Sequence, residues 1–153
     1  MLTIRQELVA AVVARFGGIT VAGGYLTDTG KNVVLWAVNP LPQEKLPGIV
    51  VRDRRCETTL VGRVAHEHRY YFEADLYSPI AVDVRAVLAD VQKAIAVDIR
   101  WLVGGRPLAV DTQPLDDELD RGQEERLLNG CRYRFVVIVR TKPFSPFNLA
   151  SPT

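Results

Sequence analysis

The sequence predicts an α+β domain with a mostly antiparallel sheet of about five strands and both helices packed on one face. Three observations carry this expectation. Apolar residues recur at helical spacing in two separate segments, near the start and the middle of the chain. Between and after them lie strand-like runs, two of which alternate cleanly with period two. The connections are of hairpin length, and the helices are segregated instead of following every strand, which argues against a doubly wound parallel sheet.

Taken in order, Thr3 and Gln6 fit the capping box that satisfies free N–H groups at a helix start. Ile4, Leu8, Val12 and Phe16 then repeat on one face, and Gly17-Gly18 stops the run, so the first helix is expected over 4–16. Residues 17–32 hold five glycines and read as a turn-rich connection. NVVLWAVN (32–39) and LPGIVVRD (46–53) read as strands separated by the Pro40/Pro42 turn. RDRRC (52–56) then reads as a charged connection into a third strand near 57–64. From His66 to Leu76 even and odd positions separate into two faces, the mark of a half-buried strand; residues 57–77 fit either a hairpin turning near Gly62 or one long strand.

Ser78-Pro79 offers an N-cap with proline at the first helical position. The stripe Ile80, Val84, Val87, Leu88, Val91 and Ile95 places the second helix over about 79–96. After Trp101 a Gly-Gly turn leads into PLAVDTQPLDDEL, a strand with an irregularity at Pro114. CRYRFVVIVRT (131–141) closes the sheet, with Tyr133, Phe135, Val137 and Val139 on one face and Arg132, Arg134, Val136, Ile138 and Arg140 on the other. A single domain over 1–142 and an extended, proline-rich tail over 143–153 complete the expected organisation.

Composition narrows the function. Of 153 residues, 48% are apolar and 24% charged, the balance of an ordinary globular domain. The net charge of +1 gives no electrostatic basis for nucleic-acid binding. Two cysteines, Cys56 and Cys131, cannot make a disulfide framework and lack C-x-x-C spacing. The N-terminal segment reads as neither a signal peptide nor a membrane span, because Arg5, Gln6, Glu7 and Arg15 interrupt it.

Four chemical readings fail on inspection. GGYLTDTGKN (23–32) resembles a phosphate loop, but Gly24 lies one residue too far from Gly30-Lys31, and Asn32 replaces the Mg²⁺-binding hydroxyl. The order is also helix, loop, strand, whereas a phosphate loop must run strand, loop, helix. His66 and His68 share a strand face and could meet one metal; a catalytic zinc needs a third ligand, which nothing in the sequence marks. No G-x-S-x-G elbow exists, and the acids at 116–125 lack EF-hand spacing and read as a solvated run. No cofactor is called for.

One charge pattern remains. Arg52, Arg54, Arg55 and Arg63 cluster around one connection, while Asp116, Asp117, Glu118, Asp120, Glu124 and Glu125 crowd another. Opposite charges on separate segments of a near-neutral chain suit head-to-tail association, or are two unrelated polar loops. Phe144, Phe147 and Leu149 in the tail fit a frayed end or an arm that docks on a neighbour.

The segments GYLTDTGKNVVLW, LPGIVVRD and HRYYFEADLY, with FVVIVRT near the end, resemble the tail terminator (tail completion) proteins of long-tailed bacteriophages and prophages. The resemblance spans most of 1–142; the tail after Lys142 departs from it. It implies a subunit of a hexameric ring that caps the tail tube, stops its polymerisation and presents a surface to the head. Implied partners are further copies of the chain, the tail tube protein and head–tail connector proteins, in a virion tail assembled in the bacterial cytoplasm. No chemistry, cofactor or membrane is implied, and no functional residue carries over by motif. The interface residues Arg52, Arg54, Arg55, Arg63, Asp116, Asp117, Glu118 and Asp120 come from the charge pattern alone. The alternatives are a head–tail connector or adaptor of the same virion, and a small metal-binding enzyme using His66 and His68.

Overall fold

A computed structural model describes residues 1–37, 41–123 and 128–150. The elements are α1 (Ile4–Gly17), β1 (Val33–Leu35), β2 (Gly48–Val61), β3 (Ala65–Pro79), α2 (Val84–Ala96), β4 (Leu102–Val103), β5 (Arg106–Pro107), β6 (Asp111–Gln123) and β7 (Leu128–Thr141). Five strands form one sheet in the order β1-β2-β3-β7-β6, and β4 with β5 makes a small separate hairpin. All neighbours in the large sheet are antiparallel except β1 and β2, which run parallel. The predicted α+β class with a mostly antiparallel five-stranded sheet is therefore what the chain adopts.

Alternation along the strands decides which face is covered. Ile49 and Val51 of β2, Phe72, Ala74 and Leu76 of β3, and Tyr133, Phe135, Val137 and Val139 of β7 all enter one core. Both helices lie against that face: α1 contributes Ile4, Leu8, Val12 and Phe16, and α2 contributes Val84, Val87, Val91, Ala94 and Ile95. At the centre Phe72 and Phe135 stack with centroids 5.2 Å apart, and Phe16 meets Phe135 edge-on at 6.3 Å. Each such ring contributes on the order of 1.5–3 kcal/mol by leaving water. The capping box is formed: the Gln6 N–H donates to the Thr3 hydroxyl at 3.2 Å and the Thr3 N–H to Gln6 Oε1 at 2.8 Å.

Several boundaries differ from those expected. RDRRC is not a connection. It lies inside β2, a single strand of 14 residues that absorbs the second and third predicted strands. Its charges are tolerated because each finds a partner: Arg52 meets Asp75, Arg54 meets Glu73, Arg55 meets Glu57, and Asp53, beside a bulge, is met by Arg5 of α1 at 2.8 Å. The chain turns at 62–64, where Gly62 has φ +62°, and returns as β3. Helix α2 begins after Asp83, whose carboxylate accepts from the Arg85 N–H at 2.9 Å. Ser78 and Pro79 instead end β3, and the Ser78 hydroxyl donates to the Val82 carbonyl. Of the strand predicted over 32–39, only 33–35 pairs, and 38–39 lie outside the described residues. The irregularity at Pro114 is a bulge between Pro114 and Asp116.

The segment after Thr141, expected to be extended, turns and comes back. The Lys142 N–H donates to the Asn148 carbonyl, the Ala150 N–H to the Arg140 carbonyl, and the Ile4 N–H to the Pro146 carbonyl. Leu149 reaches the core from this return. No helix among the described residues is long and apolar enough to cross a membrane.

Candidate functional site

Two polar centres stand out, one on each side of the sheet. The larger lies on the face away from the helices, where β2, β3, β7 and β6 present Arg52, Glu73 with Asp75, Arg132 with Arg134, and Asp116 side by side. Strand register places these charges in rows: Arg52 opposite Glu73, Glu73 opposite Arg134, Asp75 opposite Arg132, and Arg134 opposite Asp116.

Glu73 and Asp75 are each only 6% exposed and are ringed by cations. Asp75 accepts from Arg52 Nη1 and from Arg132 Nε at 2.8 Å. Glu73 lies 3.0 Å from Arg54, 3.3 Å from Arg132, 3.5 Å from Arg134 and 3.9 Å from Arg52. Arg134 continues the chain of contacts to Asp116 at 3.0 Å, and Arg52 also donates to the Ala37 carbonyl. Burial alone would raise the Asp75 pKa, but the hydrogen bonds and charges of Arg132 and Arg52 outweigh it and hold the carboxyl below its ordinary range. The same contact to Asp75 pushes the Arg132 guanidinium further up. Charged groups bound this tightly to one another lock strand register.

The second centre is a cleft of about 520 Å³ beside the N-terminus of α1, lined by Arg5, Thr58, His66, His68, Tyr70 and Phe144. His68 has a hydroxyl on each ring nitrogen, Thr58 at 2.9 Å from Nδ1 and Thr141 at 2.8 Å from Nε2. The Phe144 N–H points at His66 Nδ1 from 3.5 Å, and the two rings meet edge-on at 4.8 Å. Burial, and then the charge of His66, lowers the His68 pKa. Burial pushes the Tyr70 hydroxyl up to about 12. Cys56 Sγ lies 3.9 Å from His68 Nδ1. Among the described residues no three His, Cys, Asp or Glu side chains gather as a metal-binding group. The two histidines do share a face, as H-x-H on a strand requires, but their nitrogens hold the hairpin and the returning C-terminal segment in place.

The predicted interface residues divide accordingly. Arg52 and Arg54 are spent within the sheet, on Asp75 and Glu73. Arg55 pairs with Glu57 at 2.7 Å and lies over the Tyr71 ring. Arg63 is exposed at the β2–β3 turn and has no ion-pair partner among the described residues. Asp116 pairs with Arg134, whereas Asp117 and Glu118 are exposed on β6 without an ion-pair partner among the described residues. Asp120, also in β6, sits opposite Gly130 of β7, and Glu124 and Glu125 lie outside the described residues. The two charge clusters are thus not separate loops: the arginines lie on and just beyond β2, the acids on β6, at opposite sides of one sheet.

Sequence reasoning missed Glu73, Asp75, Arg132 and Arg134. Their signal was present as acids on the odd positions of β3 and arginines on the even positions of β7, but nothing in the sequence aligned the two strands. It also missed Asp90. That carboxylate, 1% exposed on α2, accepts from the N–H groups of Leu26 and Thr27 at 2.9 and 2.8 Å and from the Thr27 hydroxyl at 2.7 Å. GGYLTDTGKN is thereby moored to α2, and its Gly30 passes so close to α1 that a Cβ would sit 2.6 Å from the Phe16 and Ile19 carbonyl oxygens. The stretch that mimics a phosphate loop is a structural clasp.

No protein-family model matches the sequence, and no curated protein matches it. Among solved structures, the chain is similar to one from the virion of a native gene transfer agent particle, with a TM-score of 0.50 and 20% identity. The similarity covers 90% of this chain and 92% of that one. At this identity the likeness is one of fold, and it spans both chains almost end to end.

Proposed function

We propose that the chain is a structural protein of a phage-like virion, and within it the tail terminator: a ring, hexameric by its resemblance, that caps the tail tube. The observation that carries this reading is the end-to-end fold likeness to a chain of a gene transfer agent virion. The motifs GYLTDTGKNVVLW, LPGIVVRD and HRYYFEADLY, which resemble tail terminators, support the finer assignment. The chemistry of the two polar centres is consistent with it, because their charged groups brace strands and segments against one another.

On this reading the ring stops addition of tube subunits and offers its far surface to head–tail connector proteins. It works without catalysis or a cofactor, in a virion tail put together in the host cytoplasm. The direct test mixes the purified chain with the tail tube protein of the same genome and views tube ends by electron microscopy. Rings seated on one end of each tube are expected. Uncapped tubes at saturating protein would overturn the assignment.

A further inference from the structure

Among the described residues the sheet has two long bare edges, and they match. β1 pairs with only Ile49, Val50 and Val51 of β2, so among the described residues the remainder of that 14-residue strand has no strand paired on its outer side. Among the described residues the last contacts to its outer backbone are the Trp36 N–H to the Val51 carbonyl and Arg5 to the Asp53 carbonyl. From Arg54 to Leu60 every residue is exposed or half-exposed. At the other side of the sheet β6 is the terminal strand, and Gln113 to Leu119 are all exposed. Exposed edges of this length present rows of free N–H and C=O groups that pair with another chain unless something prevents it.

We propose that β6 of one copy pairs with the Arg54–Val61 edge of β2 in the next, so that the sheets of neighbouring subunits run on into each other around the ring. The inference rests on the ring reading and specifies its interface. Strand sense permits it: β2, β3, β7 and β6 alternate in direction, so β6 is antiparallel to β2 of an identically oriented neighbour. Charge favours it as well. Residues 54–63 carry three arginines against one glutamate, with Arg54 held by Glu73, Arg55 by Glu57 and Arg63 without an ion-pair partner among the described residues; residues 113–120 carry four acids and no base, with Asp116 held by Arg134. Exposed apolar side chains accompany both edges, Leu60 and Val64 at the hairpin and Leu115 and Leu119 on β6.

The same charges select the geometry. Two β6 edges brought together would oppose acid to acid, which disfavours the symmetric dimer and leaves the head-to-tail contact that closes rings. Arg52, inward of the bulge and bound to Asp75, takes no part.

The test reverses charge on each edge in turn. Arg55→Glu with Arg63→Glu makes the β2 edge acidic; Asp117→Lys with Glu118→Lys and Asp120→Lys makes β6 basic; a third variant carries all five changes. Self-association is followed by sedimentation velocity over a concentration series, with ring formation on tube ends scored in parallel and circular dichroism used to verify folding. Each single-edge variant is expected to associate at least about tenfold more weakly than wild type, because like charges then face each other. The five-fold variant is expected to recover. Folded single-edge variants that form rings as wild type does overturn the edge pairing and leave the ring reading standing. Failure of the five-fold variant to recover also overturns it. A wild-type chain that forms no ring, alone or on tubes, overturns both.

Discussion

Replacing Asp75 with alanine probes the charged face at its centre. The substitution removes the acceptor for Arg52 Nη1 and for two nitrogens of Arg132. Breaking a buried ion pair typically costs about 3–5 kcal/mol, because the partner charge stays buried. Here Arg52, with its side chain 9% exposed, is the stranded charge, and it keeps Glu73 at 3.9 Å. Arg132 is 42% exposed and can turn to water, so its share is discounted. The low end of the range, about 3 kcal/mol, is therefore expected. At about 2–4 °C per kcal/mol for a chain of this size, Tm should fall by about 6–12 °C. Urea and thermal unfolding of wild type and variant at neutral pH measure it. The pH dependence has a definite sign: a carboxyl held below its unfolded value contributes fully above about pH 4, and that contribution is lost as pH falls through the folded pKa. The variant should lack this acid limb. A loss under about 1 kcal/mol, as for a solvent-screened pair, would refute the view that these charges hold the sheet in register.

Other perturbations address the clasp and the histidine cleft. Asp90→Ala leaves the Leu26 and Thr27 N–H groups without their acceptor and should cost about 2–4 kcal/mol, with hydrogen exchange at those two amides rising more than elsewhere. Gly30→Ala forces a methyl against three carbonyl oxygens and should cost at least about 2 kcal/mol in urea unfolding, whereas alanine at Gly24 meets open space and pays only for its positive φ. His68, its folded pKa lowered, favours the neutral ring; wild type should lose stability as pH falls below about 6.5, and His68→Gln should flatten that part of the profile.

Local signals were legible in the sequence where the cause is itself local. The Thr3/Gln6 box, the stripe of α1 and the alternation in β3 and β7 each depend on neighbours within a few residues, and each appears in the fold. RDRRC misled because four charged residues in five resemble a loop unless the strand opposite is known to carry Glu73 and Asp75. Ser78-Pro79 misled because a proline that can open a helix can equally end a strand, and Asp83 provides the cap that wins. The candidate site was half legible for the same reason. The arginines of β2 and the acids of β6 were visible as clusters, but which charges are neutralised inside the sheet depends on the register of β3 against β7 and on the bulge after Asp53. What remains unpaired among the described residues, Arg63, Asp117 and Glu118, emerges only after that subtraction.

The central claim, that this chain ends a tail tube, is tested most directly by tube length in particles made without it. On the proposed reading, deletion of the gene should give tubes of uncontrolled, excessive length lacking heads in electron micrographs, restored to uniform headed tails by the wild-type chain supplied in trans. Headed tails of normal length in the deletion strain would contradict the account.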